Sequence, residues 1–289
     1  MYRCHHVQNV FADISKVQHH PAGIGGTDLG DCYNSGAHSP TILGMQAVGI
    51  PINAIKVLLI SLEVMQFCLK TGFGESDSFF GRTLDDILGG YGQGNGASAA
   101  AFTILSTRII NAYTRMGNGA KLTSSYTSLM CLLVAALYVD DTDLLHWADS
   151  SETEDEDLIE MVQGATDDFA NLAQASGGAL NPSKCFVYFL TYPPMKGKMK
   201  LKPLKKLPEP ACLIEVKQKD GSVAYEPSHI NVLQPDGSRV PIPTMDVSAP
   251  TQMLGAYFAP IGNGVPHMEA MKEKGLKWVN SLQMRPLPT

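Results

Sequence analysis

Three aspartates in this chain stand where their carboxylates could meet. Asp28 lies in "TDLGDCY", which reads as a strand end leading into a turn, and Asp140 and Asp141 sit side by side in "ALYVDDTDLLHW" between two apolar segments. An arbitrary Asp-Asp pair is an ordinary hairpin tip, because Asp is a favoured turn residue. Adjacent strand residues point to opposite faces, so both carboxylates can serve one site only at a tight turn. A hairpin tip beside a neighbouring strand end would gather all three. Clustered carboxylates repel unless cations neutralise them, and oxygen ligation completed by substrate phosphates is what Mg²⁺ favours. Two such ions about 4 Å apart clamp the attacking and leaving oxygens of a phosphoryl transfer.

The elements around these residues are legible in the pattern. The first stretch, to "PAGIGG", has weak periodicity and ends in Gly and Pro; its His5-His6 and His19-His20 pairs invite a metal reading, but neighbouring histidines rarely both ligate one ion, so they read as loop residues. Residues 39 to 70 form two helical pieces broken at "VGIP", where Gly49 and Pro51 interrupt them. "TGFGESDSFFGRTL" reads as a glycine-punctuated hairpin, and "GGYGQGNGASAAAF" as a glycine-rich loop opening a helix. "SLMCLLVAALYV" reads as one buried strand with "TDLLHW" pairing back on it. Leu158, Val162, Ala165, Phe169 and Leu172 recur at helical spacing, with acidic residues largely on the other faces. "CFVYFLTY" is a strand, and "TQMLGAYFAP" a further one before a terminal helix from about His267. Together these predict a sheet with helices packed on one face.

Bulk properties exclude several classes. The chain has 289 residues, 44% of them hydrophobic and 17% charged, which describes a globular protein with ample core. The formal net charge of −6 provides no global basic field for nucleic acid. The six cysteines include no C-x-x-C pair, so zinc-finger and thioredoxin readings fail. "GYGQGNG" lacks the dinucleotide-fingerprint spacing, and no G-x-S-x-G is present. The run from Asp149 to Glu160 mimics an EF-hand loop but has Glu154 where the sharp turn requires Gly. No signal peptide is visible, and "LMCLLVAALYV" falls short of the roughly 20 residues of a membrane helix. An intracellular protein of cytoplasm or nucleus, without membrane contact, is expected.

In order along the chain, "DLGDCY", "QGNGAS", "YVDD", "NPSKC" and "MLGAYF" resemble the palm motifs of reverse transcriptases, most closely the retrotransposon type, over roughly residues 25 to 260. The resemblance implies an α+β fold: a palm-like antiparallel sheet with helices on one face, plus a β-rich C-terminal extension. It implies a short N-terminal segment over 1–27, a palm over 28–193, an extension with a primer-grip-like hairpin over 194–260, and a helical tail over 261–289. The implied reaction is RNA- or DNA-templated attack of a primer 3′-hydroxyl on a deoxynucleoside triphosphate. By position, Asp28, Asp140 and Asp141 resemble the ligands of two Mg²⁺ or Mn²⁺ ions. Tyr33 resembles the gate against a ribose 2′-hydroxyl, and Lys184 the cation that protonates pyrophosphate. Gln93 and Gly94 resemble the loop touching nucleotide and template, Tyr138 the first residue of the Tyr-x-Asp-Asp signature, and Leu254-Gly255 the primer-gripping hairpin.

Two departures from that pattern stand out. Relatives commonly follow the first motif with Asp-Arg, where this chain has Asn34-Ser35. The triphosphate-binding cations of a fingers domain are not matched either, since the 27 residues before Asp28 contain only Arg3 and Lys16. The rival reading is therefore a catalytically inactive retroelement remnant that at most binds nucleic acid or metal. An acidic interaction module unrelated to polymerases is a weaker third. The six lysines of "KGKMKLKPLKK" read as a solvated edge before a nucleic-acid track.

Overall fold

The computed structural model describes residues 2–63, 66–81, 90–92, 95–123, 127, 129–138, 141–192, 210, 212–217, 223–253, 256–262 and 265–283. The chain opens with α1 (Tyr2–Gln18), strand β1 (Ala22–Gly30), a single turn α2 (Cys32–Ser35), α3 (His38–Ala47) and α4 (Ile52–Glu63). Two small ladders follow, β2 (Gln66–Phe67) with β5 (Phe80–Gly81), enclosing β3 (Lys70–Thr71) with β4 (Gly74–Glu75). Then come α5 (Ser98–Arg115), β6 (Ala120–Thr123), β7 (Met130–Leu133), β8 (Ala135–Tyr138) and β9 (Asp141–Trp147). Next are α6 (Asp155–Ala175), β10 (Ala179–Leu180), a 3₁₀ turn (Pro182–Lys184) and β11 (Phe186–Leu190). The last part holds β12 (Cys212–Lys217), β13 (Val223–Ser228), β14 (Ile230–Leu233), β15 (Arg239–Ile242), β16 (Thr244–Met245), β17 (Thr251–Met253), β18 (Ala256–Phe258) and α7 (Val265–Gln283).

The central sheet runs β16-β11-β1-β9-β8, with β10 also pairing β1. It is mixed rather than wholly antiparallel as expected: β16 runs parallel to β11, and the other pairings are antiparallel. Alternation along the strands builds two cores. Leu29, Leu144, Val187 and Phe189 face one way, against Phe102 and Leu105 of α5 and Val162 and Phe169 of α6. Ala22, Ile24, Leu145, Tyr188 and Leu190 face the other, against Phe11 and Ala12 of α1, Val247 and Phe258.

Four further sequence expectations need correction. The first stretch is a 17-residue helix, not loop; its apolar stripe is too thin to show in the periodicity, and burial of Phe11 and Ala12 on the sheet supplies what pattern did not. Helices consequently cover both faces of the sheet, not one. "SLMCLLVAALYV" is two strands: β7 pairs with β6 and leaves Met130 and Leu132 exposed, and only β8 enters the central sheet. "TQMLGAYFAP" folds as a β17–β18 hairpin rather than a single strand. By contrast, α6 covers the predicted span, with Leu158, Val162, Ala165 and Phe169 buried. No helix among the described residues is long and apolar enough to cross a membrane.

Candidate active site

Asp28 is the seventh residue of β1 and Asp141 the first of β9, and the antiparallel register places them directly opposite each other. The backbone carbonyl of Asp28 turns away from β9 and accepts the Asn181 amide at 2.9 Å. The pair is therefore of the non-hydrogen-bonded kind, in which Cα atoms lie about 4.5 Å apart and side chains are closest. Strand parity puts both carboxylates on the α1 side, since Asp28 lies in phase with Ile24 and Asp141 with Leu145. Tyr138 pairs with Asp141 across β8–β9, the last described pair of that ladder.

Like charges directly opposite in a sheet are destabilising unless something offsets them. Lys184 supplies part of the offset. The Asn181 side chain accepts from Ser183, and Pro182 starts the 3₁₀ turn, which aims Lys184 back across the end of β1. Its Nζ donates to Asp28 Oδ1 at 3.1 Å, with the Asp28 side chain 7% exposed and the lysine side chain 61% exposed. The site thus opens to solvent on the lysine side. Phe186 bounds it on another, its ring lying across Gly26, where a Cβ would come within 2.3 Å of the ring.

A third carboxylate escaped the sequence reading. Asp143 is buried and follows Asp141 by two residues, hence on the same face, opposite Gly26. Gln8 of α1 donates its amide to the Asp143 carboxylate. Burial first, then the neighbouring Asp141, push the Asp143 carboxyl up to about 7, against the Gln8 hydrogen bond, which acts the other way. The period-2 rule applied to "DTD" gives its direction; the missed helix α1 hid its partner.

The other expected site residues divide as follows. Tyr33, on α2, is half-buried and sets its ring edge-on to Phe102 at 5.7 Å, so it serves the helix-side core whatever else it does. Asp140, Gln93, Gly94, Leu254 and Gly255 lie outside the described residues. Among the described residues, Tyr91 is buried beside the Tyr33 turn, and the β17–β18 pair is rooted on the carboxylate face through Phe258, whose ring lies 6.0 Å from that of Tyr188.

Among the described residues no group of three or more His, Cys, Asp and Glu side chains forms a metal site. The donor set at Asp28 and Asp141 nevertheless fits hard divalent cations, since it offers carboxylate oxygens from two directly paired strand positions; the nearby Cys185 thiol is buried, donates to Asn181 O, and is pushed up by that burial. The ammonium on Asp28 marks where positive charge is wanted. A separate cavity of about 480 Å³ lies at the far end of β9, lined by residues that include His20, Asn118, Lys121, His146 and Trp147, and contains none of these carboxylates.

Comparisons with known proteins give little beyond this. No family model matches the sequence. No curated protein matches it either. Among solved structures, apo telomerase from Candida tropicalis, truncated from its C-terminal domain, is similar at 14% identity and a TM-score of 0.45. The likeness covers 69% of this chain and 37% of that one, so this chain spans well under half of that protein's length.

Proposed function

We propose that the chain carries the catalytic palm of a reverse transcriptase, performing template-directed DNA synthesis by nucleotidyl transfer. The observation that carries the reading is the face-to-face placement of Asp28 and Asp141 with Lys184 on Asp28. In this reading Asp28, Asp140 and Asp141 hold two Mg²⁺ or Mn²⁺ ions, which when bound activate the primer 3′-hydroxyl and neutralise the triphosphate. Asp28 and Asp141 orient that oxygen ligation from two strands of one rigid sheet, and Lys184 returns a proton to the departing pyrophosphate. Tyr33 serves as the gate against a ribose 2′-hydroxyl, Gln93 and Gly94 meet the nucleotide and template, Leu254 and Gly255 grip the primer end, and Tyr138 belongs to the substrate-binding set. The partners are an RNA or DNA template with its primer, and deoxynucleoside triphosphates.

Primer extension by the purified chain in Mg²⁺ and in Mn²⁺ is the test, with Asp141→Asn as comparison. Extension by the wild type, reduced about a thousandfold or more in the variant, is the expected result, equivalent to several kcal/mol of transition-state stabilisation. Divalent-cation binding without any extension would favour the inactive-remnant reading instead.

A further inference from the structure

The turn that carries Tyr33 is gripped from two sides. Asp31 starts it in the left-handed region (φ 48°), and its carbonyl accepts from both Asn34 N and Ser35 N, at 2.7 and 2.9 Å. On one side Gly177, just past α6 with φ +90°, comes so close that a Cβ would lie 2.4 Å from the Ser35 carbonyl oxygen, while Ala37 N donates to Ser176 O at 2.7 Å. On the other side Gly90, at φ +82°, abuts Asn34, where a Cβ would lie 2.3 Å from the backbone oxygen. Neither position admits a side chain.

Tyr91 fastens the second grip. Its amide donates to the Tyr33 carbonyl at 2.6 Å, and its carbonyl accepts Ser98 Oγ of α5 at 2.9 Å. The ring, 2% exposed, passes over Gly36, where a Cβ would lie 2.6 Å from it. The hydroxyl then pairs with Thr41 Oγ1 inside α3 and donates to Ala37 O at 3.3 Å. One residue, through its main chain and its hydroxyl, thus ties α2, α3 and α5 together at the residue proposed as the 2′-hydroxyl gate, and nothing in the chemistry proposed above uses it.

We infer that Tyr91 is a positioning residue for nucleotide selection: its buried hydroxyl pair with Thr41 holds the Tyr33 turn in place and so sets discrimination against ribonucleotides. This rests on the polymerase reading and on the role given there to Tyr33. A side chain excludes a 2′-hydroxyl by crowding only as far as its backbone cannot retreat. Loosening the turn relaxes the exclusion without touching the carboxylates.

The test is steady-state primer extension with deoxy- and ribonucleotides on wild type, Tyr91→Phe, Thr41→Val and the double variant. Each single change removes one hydroxyl of the pair and should raise relative ribonucleotide incorporation about three- to tenfold, the scale of one buried hydrogen bond. The deoxynucleotide kcat should stay within about twofold. The double variant should do no more than either single one, because both break the same pair. Thr41→Ser, which keeps the hydroxyl, should retain wild-type discrimination, and adding Tyr91→Phe to Tyr33→Val should change nothing further. Equal losses for both nucleotide types, additive effects, or loss of the cooperative thermal transition in both single variants would assign the pair to the fold and overturn the inference. Extension with unaltered discrimination in both variants overturns the inference alone, whereas no extension by the wild type discards the polymerase reading and the inference with it.

Discussion

Asp28 and Asp141 face each other across the β1–β9 ladder as a directly opposed pair, one from the last third of its strand and the other from the first residue of its own. Two carboxylates in that relationship store electrostatic repulsion that a bound cation releases. The repulsion is a property of the folded state alone, because the unfolded chain separates the two residues by more than a hundred positions.

A cation that binds only the folded pair must raise its stability. Mn²⁺ in about hundredfold excess over its dissociation constant should add roughly 2–3 kcal/mol, seen as a thermal shift of several degrees. Asp141→Asn should lose most of that shift. An equal shift in both proteins, measured by calorimetry in metal-free and Mn²⁺ buffers, would remove the pair as a metal site.

Lys184 Nζ holds Asp28 Oδ1 at 3.1 Å, so a cation binding at Asp28 would have to share or displace it. Lys184→Met should destabilise the metal-free protein by about 1 kcal/mol, a modest figure because the lysine end is solvated. It should enlarge the Mn²⁺ shift, since Asp28 then has more charge to neutralise. Urea unfolding with and without Mn²⁺ reads both effects, and a smaller shift in the variant would mean that the lysine assists binding rather than competing.

His146 is buried beneath α6, and among the described residues its Nε2 has no hydrogen-bond partner. Burial lowers its imidazole to about 4 from the usual 6.5. The neutral form is therefore the folded one, and the unfolded chain takes up the proton first as pH falls. Stability from this group is complete above pH 6.5 and is lost between there and about 4, amounting to on the order of 2 kcal/mol by pH 5. His146→Leu should flatten that part of the urea-stability profile between pH 7 and 5, whereas parallel profiles for the two proteins would show that His146 does not titrate there.

Gly26 lies under the Phe186 ring beside the carboxylates, and an added Cβ would meet the ring at 2.3 to 2.9 Å. Gly26→Ala should cost about 1–3 kcal/mol by overpacking. Adding Phe186→Leu should recover part of that loss, because the smaller side chain vacates the space. A double variant no more stable than Gly26→Ala would locate the strain in the backbone instead.

Much of the site was legible because strands announce themselves by alternation and turns by glycine. "YVDDTDLLHW" contains its own hairpin, and Asp28 follows from the strand end ahead of Tyr33. Lys184 was ambiguous in sequence because nothing local links "NPSK" to β1; the tie is Asn181 N to Asp28 O, a contact between residues 153 positions apart. Helix α1 was illegible for a related reason: its stability comes from Phe11 and Ala12 on the sheet rather than from its own periodicity. The parallel addition of β16 likewise depends on register with β11, which two residues cannot advertise.

The central sheet ends in β16 on one side and β8 on the other, strands of two and four residues. A sheet margin is a template on which a foreign strand can assemble, and its hazard grows with its length. Margins this brief present few open backbone groups, so the nine-residue β1 and the apolar β11 remain interior. The fold thereby shields its most aggregation-prone segments by their rank in the sheet, without spending charged residues on the task.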